Sequence, residues 1–158
     1  MVRSAFSLFE LVLVLAIVGI AAAIATPRYA QSLARYRAES AAHRVAADLA
    51  YAQSRARLDG VSRSVSFNVG ADGYTMPGVK DPDTGSAPYV VGLGEEPYRA
   101  TIITASFDDP MSLDVVNEVI FDGYGKPDSA GTVTIKVGSI TFSVNLAADS
   151  GKATVNVG

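Results

Sequence analysis

Glu10 is the one acidic residue inside a long apolar run, residues 6–25, near the amino terminus. About 20 apolar residues in a row are enough to cross a bilayer as a helix. An Asp, Lys or Arg at the centre of such a helix costs about 2.5–3.5 kcal/mol on insertion scales, so an acid inside this run indicates a functional role. A carboxylate in hydrocarbon is stabilised by pairing with a cation, and the run itself contains no basic residue. Glu10 is therefore predicted to meet a positive charge from another molecule.

Elsewhere, the residues for familiar catalytic chemistry are missing or isolated. His43 is the only histidine and there is no cysteine, so a transition-metal site, thiol catalysis and a Ser-His-Asp arrangement are all disfavoured. Asp81 and Asp83 flank a proline and are weak candidates for calcium ligands, although a solvated acidic loop is the favoured interpretation. Residues 92–94, Gly-Leu-Gly, lack the third glycine and the following helix of a phosphate-binding loop. We predict no enzyme activity, no cofactor and no metal beyond that weak calcium candidate.

A short leader, Met1–Ala5, precedes the apolar run. Its one basic residue, Arg3, keeps this end cytoplasmic. The leader, a boundary at Ala5, Phe6 after it, Glu10 as the fifth residue beyond the boundary, and the apolar run together resemble the amino-terminal signature of type IV pilins and type II secretion pseudopilins. Ala5 stands where this family usually has glycine.

The resemblance implies that a prepilin peptidase cleaves between Ala5 and Phe6 and methylates the new amino group of Phe6. It also implies that this amine pairs with Glu10 of an adjacent copy, which sets the axial stagger of subunits in a helical fibre. Gly19 and Pro27 lie where family helices commonly carry a glycine and a proline. These residues weaken a helix interior by about 1 and 3 kcal/mol relative to alanine, so the helix is expected to loosen there when it leaves the membrane.

Two other interpretations of the apolar run remain open. Arg3 and the small residues of Ala23-Ile24-Ala25 fit an ordinary signal peptide cleaved after Ala25, which would release a soluble extracytoplasmic binding protein. A plain signal anchor that holds an unrelated domain is the other. Neither explains an acid placed five residues after a small-residue boundary, so the fibre subunit is favoured.

The pattern of apolar residues in residues 26–58 predicts an amphipathic helical stem that continues the transmembrane helix. Apolar residues recur there at helical spacing and form one alanine-rich stripe, which predicts close packing against a sheet. The members of the stripe are Ala38, Ala41, Ala42, Val45, Leu49, Ala52 and Ala56. Gly60 is the predicted helix stop.

From residue 61 onward the apolar period changes to two, which is typical of β-strands. The predicted strands are 61–67, 101–107, 118–121, 132–137, 140–146 and 153–157. Gly138 and Ser139 form a two-residue hairpin connection between two of them. Residues 70–97, rich in Gly, Pro and Asp, are predicted to be a long exposed loop with a short strand near 89–91. The predicted fold class is α+β: the long helix packs on an antiparallel β-sheet head, residues 59–158.

The charge changes sign along the chain. Residues 1–58 contain seven basic and three acidic residues, whereas residues 59–158 contain six basic and thirteen acidic ones. Because phosphate contacts need Lys and Arg, an acidic head is a poor nucleic-acid binder, and no nucleic-acid partner is predicted. Some members of the pilin family that the amino terminus resembles bind DNA through basic residues near the carboxy terminus, and this chain has only Lys152 there.

The segment Val119–Pro127, followed by a glycine-led strand and a final hairpin, resembles the heads of H-type minor pseudopilins and FimT-like minor pilins. The resemblance implies a minor structural subunit of the type II secretion pseudopilus, with a type IV pilus as the alternative. Its expected partners are other pilin or pseudopilin subunits, the prepilin peptidase and the inner-membrane assembly platform. The expected location is the bacterial inner membrane, with one pass, a cytoplasmic amino terminus and a periplasmic head, and then the fibre.

Overall fold

The computed structural model describes residues 7–108 and 115–158. Within them the chain forms a long amino-terminal helix, α1, from Leu8 to Asp59, then a short 3-10 helix at Val69–Ala71 and nine strands. The chain divides into two compact units, one up to Leu33 and the other from Ala34 to Gly158. The predicted α+β class with a long apolar amino-terminal helix is confirmed.

Helix α1 ends at Asp59, directly before Gly60, as predicted. Gly60 directly after the helix has a positive φ of 65°, which a residue without a Cβ adopts at little cost. The carboxylate of the last helical residue, Asp59, forms ion pairs with Arg55 at 3.3 Å and with Arg63 at 2.8 Å. It therefore links the end of the helix to the first strand.

Two antiparallel sheets make up most of the second unit. Their strands are β1 (Arg63–Asn68), β2 (Gly73–Met76), β3 (Tyr89–Gly92), β4 (Thr101–Asp108), β5 (Val115–Val116), β6 (Glu118–Phe121), β7 (Gly131–Val137), β8 (Ile140–Leu146) and β9 (Ala153–Val157). One sheet has the order β3-β2-β1-β6, and the other has the order β5-β4-β7-β8-β9. In the β7–β8 hairpin Val137 pairs with Ile140 across Gly138 and Ser139, as predicted.

One core joins the alanine-rich stripe to both sheets. Every residue of the stripe is at most 1% exposed. Between the sheets the rings of Phe67 and Phe107 stack with centroids 5.6 Å apart. Gly131 lies directly under the Phe107 ring, where any Cβ would collide with it. Short residues on the helix and a glycine on β7 therefore allow close packing of the core.

Side chains of the stem also hold the turns at one end of the sheets. Gln53 donates from Nε2 to the carbonyl oxygens of Gly125 at 2.7 Å and Ser150 at 2.9 Å. Arg57 donates from Nε to the carbonyl of Tyr124 at 3.0 Å. These bonds satisfy turn carbonyls and fix the stem to both sheets.

The prediction of one long exposed loop over residues 70–97 is wrong in its first part. Strand β2 lies inside it, and Tyr74, Met76, Val79 and Leu93 belong to the core. The physical reason is that β2 has only four residues, and the surrounding glycines and prolines masked its alternation. The short strand expected near 89–91 is confirmed as β3, and most of residues 80–88 are exposed. The first strand begins at Arg63 rather than at residue 61.

Candidate functional site

The first candidate site is the apolar surface of α1 between Leu8 and Ile20. Its large apolar side chains are 46–81% exposed. In the described part of the chain α1 is the one helix long and apolar enough to span a membrane. A continuous exposed apolar surface of this size marks a membrane or protein contact in a folded protein.

The start of α1 is built around Ser7 and Glu10. Ser7 Oγ accepts a hydrogen bond from the backbone N–H of Glu10 at 3.2 Å, and the Ser7 carbonyl accepts from the N–H of Leu11 at 3.2 Å. Ser7 is thus the N-cap, and Glu10 stands at the third helical position, the spacing of a capping box. An acid in the first turn also interacts favourably with the helix dipole. The Ser-x-x-Glu spacing of residues 7–10 is visible in the sequence and predicts this cap, but it is not among the predictions above.

Of the other residues predicted to act in processing and assembly, two lie outside the described residues and two lie within α1. Ala5 and Phe6, at the predicted cleavage site, lie outside the described residues. Gly19 lies within α1, and a Cβ built on it would meet nothing within 4 Å. Pro27 also falls within the bounds of α1. Their expected loosening of the helix stays a prediction.

The second candidate site is a buried polar cluster on the stem, centred on Asp48. Asp48 is 6% exposed and accepts hydrogen bonds from the phenols of Tyr74 at 2.5 Å and Tyr89 at 3.2 Å. Arg44, one helical turn earlier, donates from Nε to the same carboxylate at 3.0 Å and from its terminal nitrogen to the Tyr89 hydroxyl. Tyr51 packs edge-on against the Tyr89 ring, with centroids 6.2 Å apart. The charge of Asp48 is thus compensated on the side that faces β2 and β3.

This cluster shifts the proton affinities of its members. Burial, together with the Asp48 carboxylate, raises the pKa of Tyr74 well above its usual range and raises the pKa of Tyr89 to about 12. Burial opposes the charge on Arg44, but the Asp48 carboxylate and the Tyr89 phenol outweigh it and raise the pKa of Arg44. At neutral pH both phenols are therefore protonated donors and Arg44 is charged. The arrangement is an ion cluster that joins the stem to β2 and β3.

An alkaline titration should show how much this cluster contributes to the stability of the fold. Because Tyr89 has a raised pKa in the folded state, its contribution to stability is fully present below the pKa of an unfolded tyrosine, about 10. It is then lost as the pH rises towards about 12. The urea midpoint of the full chain in detergent, followed by near-ultraviolet circular dichroism, is expected to fall over this interval. Tyr89→Phe should make the fall shallower without removing it, because the pKa of Tyr74 is raised as well. An equal fall in that variant would contradict the assignment.

The weak calcium candidates occupy an exposed turn. Asp81 accepts hydrogen bonds on Oδ1 from the N–H groups of Asp83 at 2.8 Å and Thr84 at 3.3 Å. The bond from Asp83 is the main reason why the pKa of Asp81 is lowered. One carboxylate oxygen is therefore used to hold the turn. Across residues 7–108 and 115–158 no group of three or more His, Cys, Asp or Glu side chains is arranged to bind a metal. His43 is exposed on the stem.

The Asp48 cluster was not predicted, because its members lie far apart in the chain. Tyr74 lies within the residues predicted to be a long exposed loop, and Tyr89 lies in the short strand predicted inside that loop. An acid four residues after Arg44 on a helix was the only local signal, and that spacing is common on solvated helix surfaces.

No family model, no curated protein and no solved structure matches the chain.

Proposed function

We propose that this chain is a minor pseudopilin, a structural subunit of a helical fibre that is assembled from the inner membrane by a type II secretion system. The observation that carries the proposal is the exposed apolar segment of α1, which begins at a serine cap and has Glu10 in its first turn. Such a surface needs lipid before assembly and apolar neighbours after it. Helices of other subunits provide those neighbours in a fibre.

A membrane anchor alone requires only the apolar residues, so Glu10 supports the more specific proposal. None of the ion pairs within the described residues includes Glu10. Removing the leader after Ala5 creates a cationic amine on Phe6, four residues before the acid. The amine of one subunit then compensates Glu10 of the next. Because a mismatched stagger leaves both charges unpaired in an apolar core, the pair selects one axial register.

The second unit fits the role of a head. Its buried charged cluster holds the stem against β2 and β3. The head makes lateral contacts with other subunits. Its partners are pilin-type subunits, the prepilin peptidase that removes the leader, and the assembly platform.

A minor pilin of a type IV pilus is the second candidate, since the same helix start and apolar surface serve both fibres. The genes next to this one separate the two. A secretin together with further pseudopilin-like chains indicates type II secretion, whereas a retraction motor indicates a pilus.

The amino terminus of the mature protein tests the proposal most directly. In a host with a prepilin peptidase, intact-mass analysis of the membrane-extracted chain is expected to show a start at Phe6, with the mass of one added methyl group. Ala5→Gly should be cleaved at least as completely, because it restores the usual family residue. A start at Thr26 would instead support an ordinary signal peptide and a soluble binding protein, and an intact leader would contradict processing altogether.

A further inference from the structure

The turn that follows β6 carries the most exposed aromatic side chain among the described residues. Tyr124 is 89% exposed, and none of the ring contacts among the described residues includes it. Its backbone, by contrast, is firmly held. Asp122 Oδ1 accepts the N–H groups of Tyr124 at 2.9 Å and of Lys126 at 2.8 Å, and Arg57 binds the Tyr124 carbonyl. A tyrosine on a rigid turn loses little conformational freedom when it is bound, which suits a contact with another protein.

Other apolar side chains are exposed at the same end of the second unit. Leu58, the residue after Arg57, is 74% exposed, and Val61 is 48% exposed. The backbone nitrogen of Val61 lies 3.4 Å from the position that a Cβ on Gly123 would take, so this part of the chain adjoins the turn. Leu58, Val61 and Tyr124 together are called the Tyr124 patch below. Neighbouring exposed apolar side chains on a folded unit mark an interaction surface.

Two basic residues beside the Tyr124 patch are free to meet acidic groups of a partner. Arg57 and Lys126 are exposed, and neither occurs in an ion pair within the described part of the second unit. The acids nearby are already engaged. Asp59 is paired with two other arginines, and Asp122 and Asp128 each use Oδ1 to accept backbone N–H groups. The charges still without a partner at the patch are therefore positive on these two long side chains.

A surface of complementary character lies elsewhere on the same unit. Residues 81–83, Asp-Pro-Asp, belong to the exposed turn described above, and neither aspartate occurs in an ion pair within the described residues. The two acids outnumber the one neighbouring base, Lys80. Pro82 is exposed between them. A proline ring is a good partner for an exposed aromatic ring, as in the recognition of proline-rich segments.

The two surfaces lie on different sides of the stem at similar heights. The Lys80 carbonyl accepts a hydrogen bond from the hydroxyl of Tyr51 at 3.1 Å, whereas the Tyr124 carbonyl is bound by Arg57. Six helical residues separate Tyr51 from Arg57, which corresponds to about 120° around the helix axis and about 9 Å along it. Two parallel stems shifted by this small distance bring the surfaces to the same level. Because the surfaces differ, the contact is heterologous and repeats from copy to copy, as a helical fibre requires.

We propose that the Tyr124 patch of one copy binds residues 81–83 of a second copy. Pro82 packs on the Tyr124 ring, and the two aspartates beside it face Arg57 and Lys126 of the other copy. The inference rests on the proposed function, because a fibre is what brings copies side by side, and it names the surfaces through which their second units touch. Exposed contacts of this kind are weak singly and add up when the apolar helices already hold the subunits together.

The chain contains neither cysteine nor tryptophan, so each copy can carry a single reporter. Full-length Tyr124→Trp, which keeps an aromatic ring in the patch, is mixed in vesicles with full-length Thr84→Cys that bears a nitroxide on the cysteine. A nitroxide quenches tryptophan only at short range, so the proposed contact should lower the emission. A nitroxide on Glu39→Cys, an exposed residue about 27 Å along the same stem from Arg57, is the matched control and should quench only weakly.

Charge variants make the result specific. Asp83→Lys in the nitroxide-bearing copy should lower the ratio of paired to unpaired copies about fivefold, the upper end of the effect of an exposed ion pair. Lys126→Asp in the tryptophan-bearing copy should then restore the quenching, whereas Glu39→Lys in place of Asp83→Lys should change nothing. Equal quenching from both nitroxide positions, or quenching that Asp83→Lys leaves unchanged, overturns the contact.

The amino-terminal mass separates this inference from the proposed function. A chain that begins at a methylated Phe6 but shows no specific quenching keeps the fibre role and loses this contact. A chain that keeps its leader but shows quenching that depends on Asp83 and Lys126 keeps the contact and loses the fibre role.

Discussion

Glu10→Gln is expected to exclude the chain from fibres while leaving it inserted in the membrane. Glutamine fills nearly the same space, but in the proposed fibre it cannot neutralise the amine of Phe6 from a neighbouring subunit. Removing one partner of a buried ion pair costs about 3–5 kcal/mol, which lowers incorporation at each contact by roughly a hundredfold or more. The measurement is the amount of this chain in sheared, purified fibres relative to the amount in the membrane fraction.

The capping geometry at the start of α1 supplies the control for this experiment. Glutamine also suits the third position of a capping box, so a role limited to starting the helix predicts normal assembly of Glu10→Gln. Ser7→Ala removes the cap itself, at a cost of about 1 kcal/mol, and leaves the charge of Glu10 in place. We expect Ser7→Ala to assemble and Glu10→Gln to fail. The reverse order of defects would show that Glu10 acts through the helix start.

Asp48→Ala is expected to be the most destabilising single substitution in the buried cluster of the stem. It leaves Arg44 without its buried partner and leaves the hydroxyls of Tyr74 and Tyr89 without their acceptor. The loss is about 3–5 kcal/mol, a large part of the 5–15 kcal/mol by which domains are usually stable. For a unit of this size the melting temperature falls by roughly 10–20 °C. Thermal unfolding of the full chain in detergent, followed in the near ultraviolet, measures it.

Two further variants distinguish the stability lost with the Asp48 cluster from a general sensitivity of the stem to substitution. Tyr74→Phe removes one donor and should cost about 1–2 kcal/mol. Glu39→Ala removes an exposed acid from the same helix and should change stability by less than about 0.5 kcal/mol. If Asp48→Ala unfolds at the same temperature as Glu39→Ala, the cluster does not stabilise the head.

The elements that could be predicted from the sequence are those that local spacing determines. The seven residues of the stripe recur at helical spacing, and all of them are buried. The β7–β8 hairpin follows from two alternating runs separated by Gly138 and Ser139. Glu10 could be singled out because an acid inside a run long enough to span a membrane is costly there.

The parts that could not be predicted depend on contacts between distant residues. Asp48 contacts Tyr74 and Tyr89 only because β2 and β3 pair with each other beside the stem. No periodic pattern in the sequence predicts that pairing. Strand β2 was hidden by its glycine-rich surroundings.

The alanine-rich stripe has a mechanical consequence. Side chains this short bring the stem's backbone close to the sheets, and the Gln53 and Arg57 bonds clamp its far end. Sliding this part of the helix along the sheets would separate Asp48 from its hydrogen-bond donors. Residues 34–59 of the helix and both sheets belong to one compact unit, so a force applied to that part of the helix acts on both sheets together.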